Sequence, residues 1–148
     1  MNKKNKTALI FGISGQDGCL LANFLIKKGY NVHGTSRNVE KNKFTFFHKL
    51  NIYRKLKLYS LFLNDFEGIL KILSLVKPDE IYNLAGQSSV ACSFLKPTET
   101  YESIFLTSQN LLEAIRIYNR DTKFYNACSS ECFGDTANFL AGEKKWII

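Results

Sequence analysis

Short apolar runs alternate along the chain with longer stretches in which apolar residues recur at helical spacing. Residues 7–11 form the first apolar run, which ends at a glycine and is typical of a strand buried on both faces. Leu21, Phe24 and Leu25 then share one face of a predicted helix. Residues 27–29, Lys-Lys-Gly, are typical of a last helical turn and its left-handed cap, so the pattern predicts a strand followed by a helix.

The same alternation continues to residue 128. Further strands are predicted at residues 31–35, 56–61, 80–84 and 123–128. Asn64 or Asp65 can cap a helix before the fourth strand, with an apolar stripe of Phe66, Ile69, Leu70 and Leu73. A long amphipathic helix is predicted before the fifth strand, ending near Asn119, with apolar positions Tyr101, Ile104, Phe105, Leu111, Leu112, Ile115 and Tyr118. Residues 38–54 lack periodicity and receive no assignment.

Five strands in alternation with helices indicate one fold class. Each right-handed crossover must return over a face of the sheet, so the strands run parallel with helices on both faces. We therefore predict an α/β fold, a Rossmann-like doubly wound parallel sheet that is truncated after about five strands.

A glycine-rich turn lies where this fold binds phosphate, between the first strand and the first helix. Its glycines follow a GxxGxxG spacing, which allows a tight turn and a close approach of the backbone to a diphosphate. The helix N-terminus adds N–H donors and a partial positive charge. The predicted cofactor-binding residues of this turn are Gly12, Ile13, Ser14, Gly15, Gln16, Asp17 and Gly18.

The end of the second strand favours NADP over NAD. An NAD enzyme usually carries Asp or Glu there, but this chain has Arg37 and no carboxylate before Glu40. The planar guanidinium of Arg37 can bind the 2′-phosphate of NADP. The alternative is that Arg37 is an exposed loop residue without a ligand.

Polar or small residues follow the fourth and fifth strands, at the edge of the sheet where ligands bind in open parallel sheets. After the fourth strand, the predicted cofactor-binding residues are Leu84, Ala85, Gly86, Gln87 and Ser88. After the fifth strand comes Ser129-Ser130-Glu131, which alone would be read as a turn and a helix cap.

Composition and charge narrow the function classes. A chain of 148 residues with 45% hydrophobic residues has one domain's worth of apolar core. Its four cysteines form no CxxC pair, no metal site is predicted, and neither a signal peptide nor a membrane span is evident, so we expect a cytoplasmic protein without a membrane partner. The net charge of +7 is concentrated between Arg37 and Lys57. This stretch is either a solvated basic loop or a surface for a phosphorylated ligand, and nucleic acid is not the predicted partner.

Five segments together resemble the GDP-mannose 4,6-dehydratases, which are extended short-chain dehydrogenases. They are residues 8–18 (ALIFGISGQDG), 29–37 (GYNVHGTSR), 77–90 (KPDEIYNLAGQSSV), 111–116 (LLEAIR) and 124–136 (FYNACSSECFGDT). The resemblance implies an NADP-binding Rossmann domain over residues 1–136. Residues 137–148 do not resemble the family and are expected to be a divergent tail.

The resemblance also implies a lyase reaction on GDP-mannose with NADP as internal hydride carrier. Hydride leaves C4 of the mannose, a glutamate removes the C5 proton as water leaves C6, and the hydride returns to C6. By position, Glu131 is the family's acid/base glutamate, and Ser129 stands where a hydroxyl contacts the C4 oxygen. Family members are homo-oligomers, whereas nothing in the sequence fixes the oligomeric state of this chain.

The sequence also departs from the family pattern. No tyrosine follows Glu131, so the family's Tyr-x-x-x-Lys is absent, and we expect the isolated chain to lack dehydratase activity. Phe62-Leu63 replaces the Asp-Leu pair that many members place near the adenine, which leaves Leu63 as the predicted contact. Two alternatives stay open: a non-catalytic NADP-binding remnant, or part of an NAD(P)-dependent sugar-nucleotide epimerase or reductase.

Overall fold

A computed structural model describes residues 5–128, which form a five-stranded parallel sheet with helices on both faces. The strands are β1 (Thr7–Phe11), β2 (Asn31–Ser36), β3 (Leu56–Ser60), β4 (Glu80–Asn83) and β5 (Lys123–Asn126). Their spatial order is β3-β2-β1-β4-β5, and every neighbouring pair is parallel. The predicted α/β doubly wound fold is therefore confirmed.

Six α-helices are found among the described residues. They are α1 (Gln16–Lys27), α2 (Thr45–Lys49), α3 (Phe66–Val76), α4 (Val90–Leu95), α5 (Pro97–Tyr101) and α6 (Thr107–Tyr118). A 3₁₀ turn, Tyr53–Lys55, precedes β3, and a π-helical turn, Glu102–Leu106, joins α5 to α6. Within residues 5–128, no helix combines the length and the apolar character needed to cross a membrane.

Strand order reverses at β1, which lies between β2 and β4. The chain passes from β1 outward through β2 to β3, then crosses back to β4 and continues to β5. In a sheet of this topology, the loops at the carboxyl ends of β1 and β4 diverge and leave a crevice, which is the usual ligand site. The topology thus selects one edge of the sheet for the candidate site.

Two separate hydrophobic clusters hold the helices to the sheet. On one face, Leu9, Phe11 and Ile81 pack with residues of α3 and α6. On the other face, Ala8 and Ile10 pack with α1 and with apolar residues of the segment 44–52. Adjacent residues of β1 therefore face opposite layers, which explains the continuous apolar run in the sequence.

The helix predictions were confirmed in position and only partly in orientation. Asp65 is the cap of α3, since its carboxylate accepts a hydrogen bond from the Gly68 N–H at 2.9 Å. Of the three residues predicted to share an apolar face of α1, Leu25 is buried but Phe24 is 54% exposed, because the buried stripe is formed by Cys19, Ala22 and Leu25. In the long helix, four of the predicted apolar positions are about half exposed: Tyr101, Ile104 and Phe105 before α6, and Leu112 within it.

Candidate functional site

The turn between β1 and α1 presents backbone N–H groups at the carboxyl edge of the sheet. Gly12 opens it with a φ of 78°, in the left-handed region that favours glycine. The Gly15 N–H donates to the Gly12 carbonyl at 3.1 Å, and α1 begins at Gln16. No side chain caps this helix at Gly15, so the N–H groups of its first turn receive no hydrogen bond from a capping side chain.

Close backbone packing shows that two glycines of the turn cannot carry a side chain. A Cβ atom on Gly12 would lie 2.7 Å from the Ala85 backbone nitrogen, and one on Gly18 would lie 2.6 Å from the Gly12 carbonyl oxygen. On Gly15, by contrast, the nearest atom would be 3.4 Å away. Gly12 and Gly18 therefore shape the turn, whereas Gly15 leaves its outer surface open. The turn therefore has the close backbone packing that the sequence analysis expected of its glycines.

The turn is anchored to β2, which carries the predicted 2′-phosphate residue at its end. Ile13 is fully buried, and its N–H donates to the Thr35 carbonyl at 3.2 Å. The Ser36 hydroxyl donates to the Ser14 hydroxyl at 3.4 Å, a contact that the sequence did not indicate. Arg37 follows directly and is exposed, so its guanidinium is available to a ligand at this edge.

The segment after β4 lies against the other side of the turn. Leu84 donates its N–H to the Phe11 carbonyl at 3.0 Å, and Ala85 lies beside Gly12. Asn83, at the end of β4, is buried; its side chain accepts from the Ala85 N–H and donates to the Asn126 side chain at 2.7 Å. The two asparagines occupy paired positions at the ends of β4 and β5, which only the strand register could reveal.

Most of the predicted site residues lie together at the carboxyl ends of the strands. The structure brings the turn 12–18, Arg37 and the segment 84–88 to the carboxyl ends of β1, β2 and β4. Leu63 follows β3, two strands from β1, where its carbonyl accepts from the Asn110 side chain at 3.1 Å. Ser129 and Glu131 lie outside the described residues.

The tyrosine and lysine spacing of the family is not reproduced on one helix among the described residues. The spacing Tyr-x-x-x-Lys occurs once in the sequence, at Tyr53 and Lys57, but these residues belong to the 3₁₀ turn and to β3 rather than to one helix. Burial, reinforced by the hydrogen bond to Glu80, raises the pKa of Tyr82 to about 12. Burial also raises the pKa of the Cys19 thiol, despite its position near the start of α1.

A second concavity lies along strands β4 and β5. A groove of about 260 Å³ is lined by Glu80, Lys123 and Tyr125 together with their strand neighbours. Glu80 accepts hydrogen bonds from Lys6 at 3.0 Å and Tyr82 at 2.8 Å. Burial opposes ionisation of Glu80, but these hydrogen bonds outweigh it and lower the pKa of the carboxyl. The Glu80 carboxylate is therefore already paired with groups of the fold and is not free to bind a ligand in this groove.

Comparison with known proteins identifies one family of relatives. A family model described as GDP-mannose 4,6 dehydratase matches residues 9–147, so the match also runs through most of the tail expected to diverge. The chain is 42% identical over 144 residues to GDP-mannose 4,6 dehydratase 1 of Arabidopsis thaliana, covering 90% of this chain and 40% of that protein. It is 43% identical over 143 residues to GDP-mannose 4,6-dehydratase of Vibrio cholerae, covering 90% and 37%. The chain spans about 40% of the length of these relatives.

Solved structures share the fold. The UDP-Glc/GlcNAc 4-epimerase of Campylobacter jejuni superposes with a TM-score of 0.81 at 21% identity, covering 94% of this chain and 42% of that one. UDP-glucose 4-epimerase of Thermotoga maritima gives a TM-score of 0.73 at 27% identity, covering 85% and 38%. These likenesses support the architecture described above.

Proposed function

Because the chain belongs to the GDP-mannose 4,6-dehydratase family, we propose that residues 5–128 form the NADP-binding part of an enzyme that converts GDP-mannose to GDP-4-keto-6-deoxymannose. One observation carries the cofactor assignment. The glycine turn meets the segment after β4 through the Gly12–Ala85 contact, at the point where the strand order reverses. This is where doubly wound sheets bind dinucleotides.

The glycine turn binds the diphosphate in this proposal. The N–H groups at the start of α1 donate to phosphate oxygens, and the positive end of the helix dipole favours their negative charge. Gly15 allows the phosphates to approach the backbone, since it has no side chain on the outer surface of the turn. Ser14, held beside Ser36, adds a hydroxyl at the β2 side of the turn.

Arg37 selects NADP over NAD in this proposal. It follows β2, whose end receives the adenosine ribose in this fold. Its exposed guanidinium can donate two parallel hydrogen bonds to the 2′-phosphate. No carboxylate stands at that position to accept a hydrogen bond from the free 2′-hydroxyl of NAD. We therefore expect the chain to bind NAD with a lower affinity than NADP.

Bound NADP would supply a hydride acceptor and donor beside the sugar. The chain's own contribution is to orient the nicotinamide half, using the small residues Ala85 and Gly86 for close approach. Ser129 and Glu131, which follow β5 in the sequence, are the residues that we propose to contact the C4 oxygen and to move the C5 proton.

Titration of the purified chain with NADP and with NAD, followed by thermal unfolding, tests the cofactor assignment. A ligand that binds only the folded form stabilises it by mass action, by about 2.7 kcal/mol at a concentration of 100 times its dissociation constant. We expect NADP to raise the unfolding midpoint at lower concentrations than NAD. A folded chain whose midpoint responds to neither dinucleotide would contradict the proposal.

A further inference from the structure

A wide helical turn lies directly behind the segment that follows β4. Residues Glu102–Leu106 form a π-helical turn in which the Thr107 N–H reaches the Glu102 carbonyl, five residues back. Such turns are uncommon and frequently lie at functional sites. Here the turn carries Ser103, a half-buried residue that the sequence patterns did not single out.

Ser103 connects this turn to the segment 84–88. Its hydroxyl accepts a hydrogen bond from the Gln87 N–H at 3.2 Å and donates to the Thr100 carbonyl at 3.1 Å. A Cβ atom on Gly86 would meet only atoms of Ile104 and Ser103, at 3.8 and 4.0 Å. The backbone on both sides of the Gly86–Gln87 peptide therefore rests on the π-helical turn.

Hydrogen bonds continue from Gln87 to the next helix. The Gln87 side chain donates to the Ser89 carbonyl at 2.8 Å and accepts from the Ser89 N–H. Ser89 in turn caps α4 by accepting from the Cys92 N–H. Ser103 is thus the connection between the π-helical turn and a short chain of contacts that fixes the course of the loop after β4.

We infer that Ser103 is a positioning residue for the nicotinamide half of the dinucleotide, acting through Gln87 and the segment 84–88. The inference rests on the proposed function. In a doubly wound sheet the two mononucleotide halves lie on opposite sides of the reversal point. Arg37 after β2 marks the adenosine half, so the segment after β4 receives the other half. Loss of the Ser103 hydroxyl leaves the half-buried Gln87 N–H without its partner and loosens only that half of the site.

Affinities of two ligands for the full chain, measured by calorimetry, separate this role from a general structural one. NADP occupies both halves, whereas adenosine 2′,5′-bisphosphate carries the 2′-phosphate without the nicotinamide. We expect Ser103→Ala to weaken NADP binding by roughly threefold to tenfold, the usual effect of one lost hydrogen bond, with unchanged affinity for the bisphosphate. Ser103→Thr, which retains the hydroxyl, should restore NADP binding.

Ser108→Ala is the matched control. Ser108 is a half-buried serine in α6 whose hydroxyl donates to the Ile104 carbonyl at 2.7 Å. The Ser108→Ala substitution should leave the affinities for both ligands unchanged. Equal weakening of both ligands by Ser103→Ala, or no weakening of NADP, would overturn the inference while the proposed function stands. A wild-type chain that binds neither ligand would contradict the proposed function and the inference together.

Discussion

Gly12→Ala is expected to destabilise the chain by about 2–5 kcal/mol. The added Cβ would lie 2.7 Å from the Ala85 backbone nitrogen, and backbone at such a distance cannot yield as a flexible side chain can. Overpacking of this kind costs roughly 1–3 kcal/mol. The left-handed φ of 78° adds about 1–2 kcal/mol for any residue with a Cβ. The free energy of unfolding of a domain of this size is only about 5–15 kcal/mol, so the substitution should remove a large part of it.

Gly15→Ala is the control for this prediction. It belongs to the same turn, but its φ is −71° and its added Cβ would come no closer than 3.4 Å to another atom. Denaturant unfolding of both variants measures the difference directly. If Gly12→Ala were as stable as Gly15→Ala, the close packing of the turn against the segment after β4 would be wrong.

Arg37→Ala is expected to remove the preference for NADP. A charge-assisted hydrogen bond to phosphate contributes about 1.5–3 kcal/mol, so the NADP dissociation constant should rise by about tenfold to a hundredfold. The NAD dissociation constant should stay nearly the same, because NAD has no 2′-phosphate. Calorimetric titration of the variant with each dinucleotide gives both values.

Arg54→Ala controls for general attraction by the basic stretch. Arg54 is also exposed, but it precedes β3 and therefore lies at the opposite edge of the sheet from Arg37. It should leave the NADP affinity close to that of the wild type at physiological salt. Equal losses in the two variants would mean that the basic stretch attracts NADP without a specific 2′-phosphate contact.

Strand positions were predictable because short runs of strand-forming residues end at turn residues, and in β1 burial on both faces makes the run continuously apolar. The apolar run 7–11 coincides with β1, and the predicted ends of the other strands differ by at most two residues from the observed ones. The glycine turn was equally predictable, since close packing of its backbone excludes side chains and so fixes the spacing of its glycines. The position of β4 beside β1 follows from the doubly wound fold class, in which strand order reverses at β1, and not from any local pattern of residues.

The buried faces of the helices and the tertiary contacts were less predictable from the sequence. Phe24 and Phe105 are apolar and correctly spaced, yet both are exposed, because spacing alone does not state which neighbouring element covers a helix face. The short helix Thr45–Lys49 lies in the unassigned stretch, where Phe44 and Phe47 reach the core without a full helical period. Ser103 and Asn83 act through partners distant in sequence, so no local pattern could have identified their contacts.

The central claim is that the glycine turn holds the diphosphate of a dinucleotide. Amide chemical shifts of the isotope-labelled full chain, recorded by NMR during titration with NADP, test it residue by residue. We predict the largest changes at Gly15, Gln16 and Asp17, with further changes in the segment 84–88. Changes confined to the groove around Glu80 and Lys123, with the glycine turn unaffected, would contradict the account.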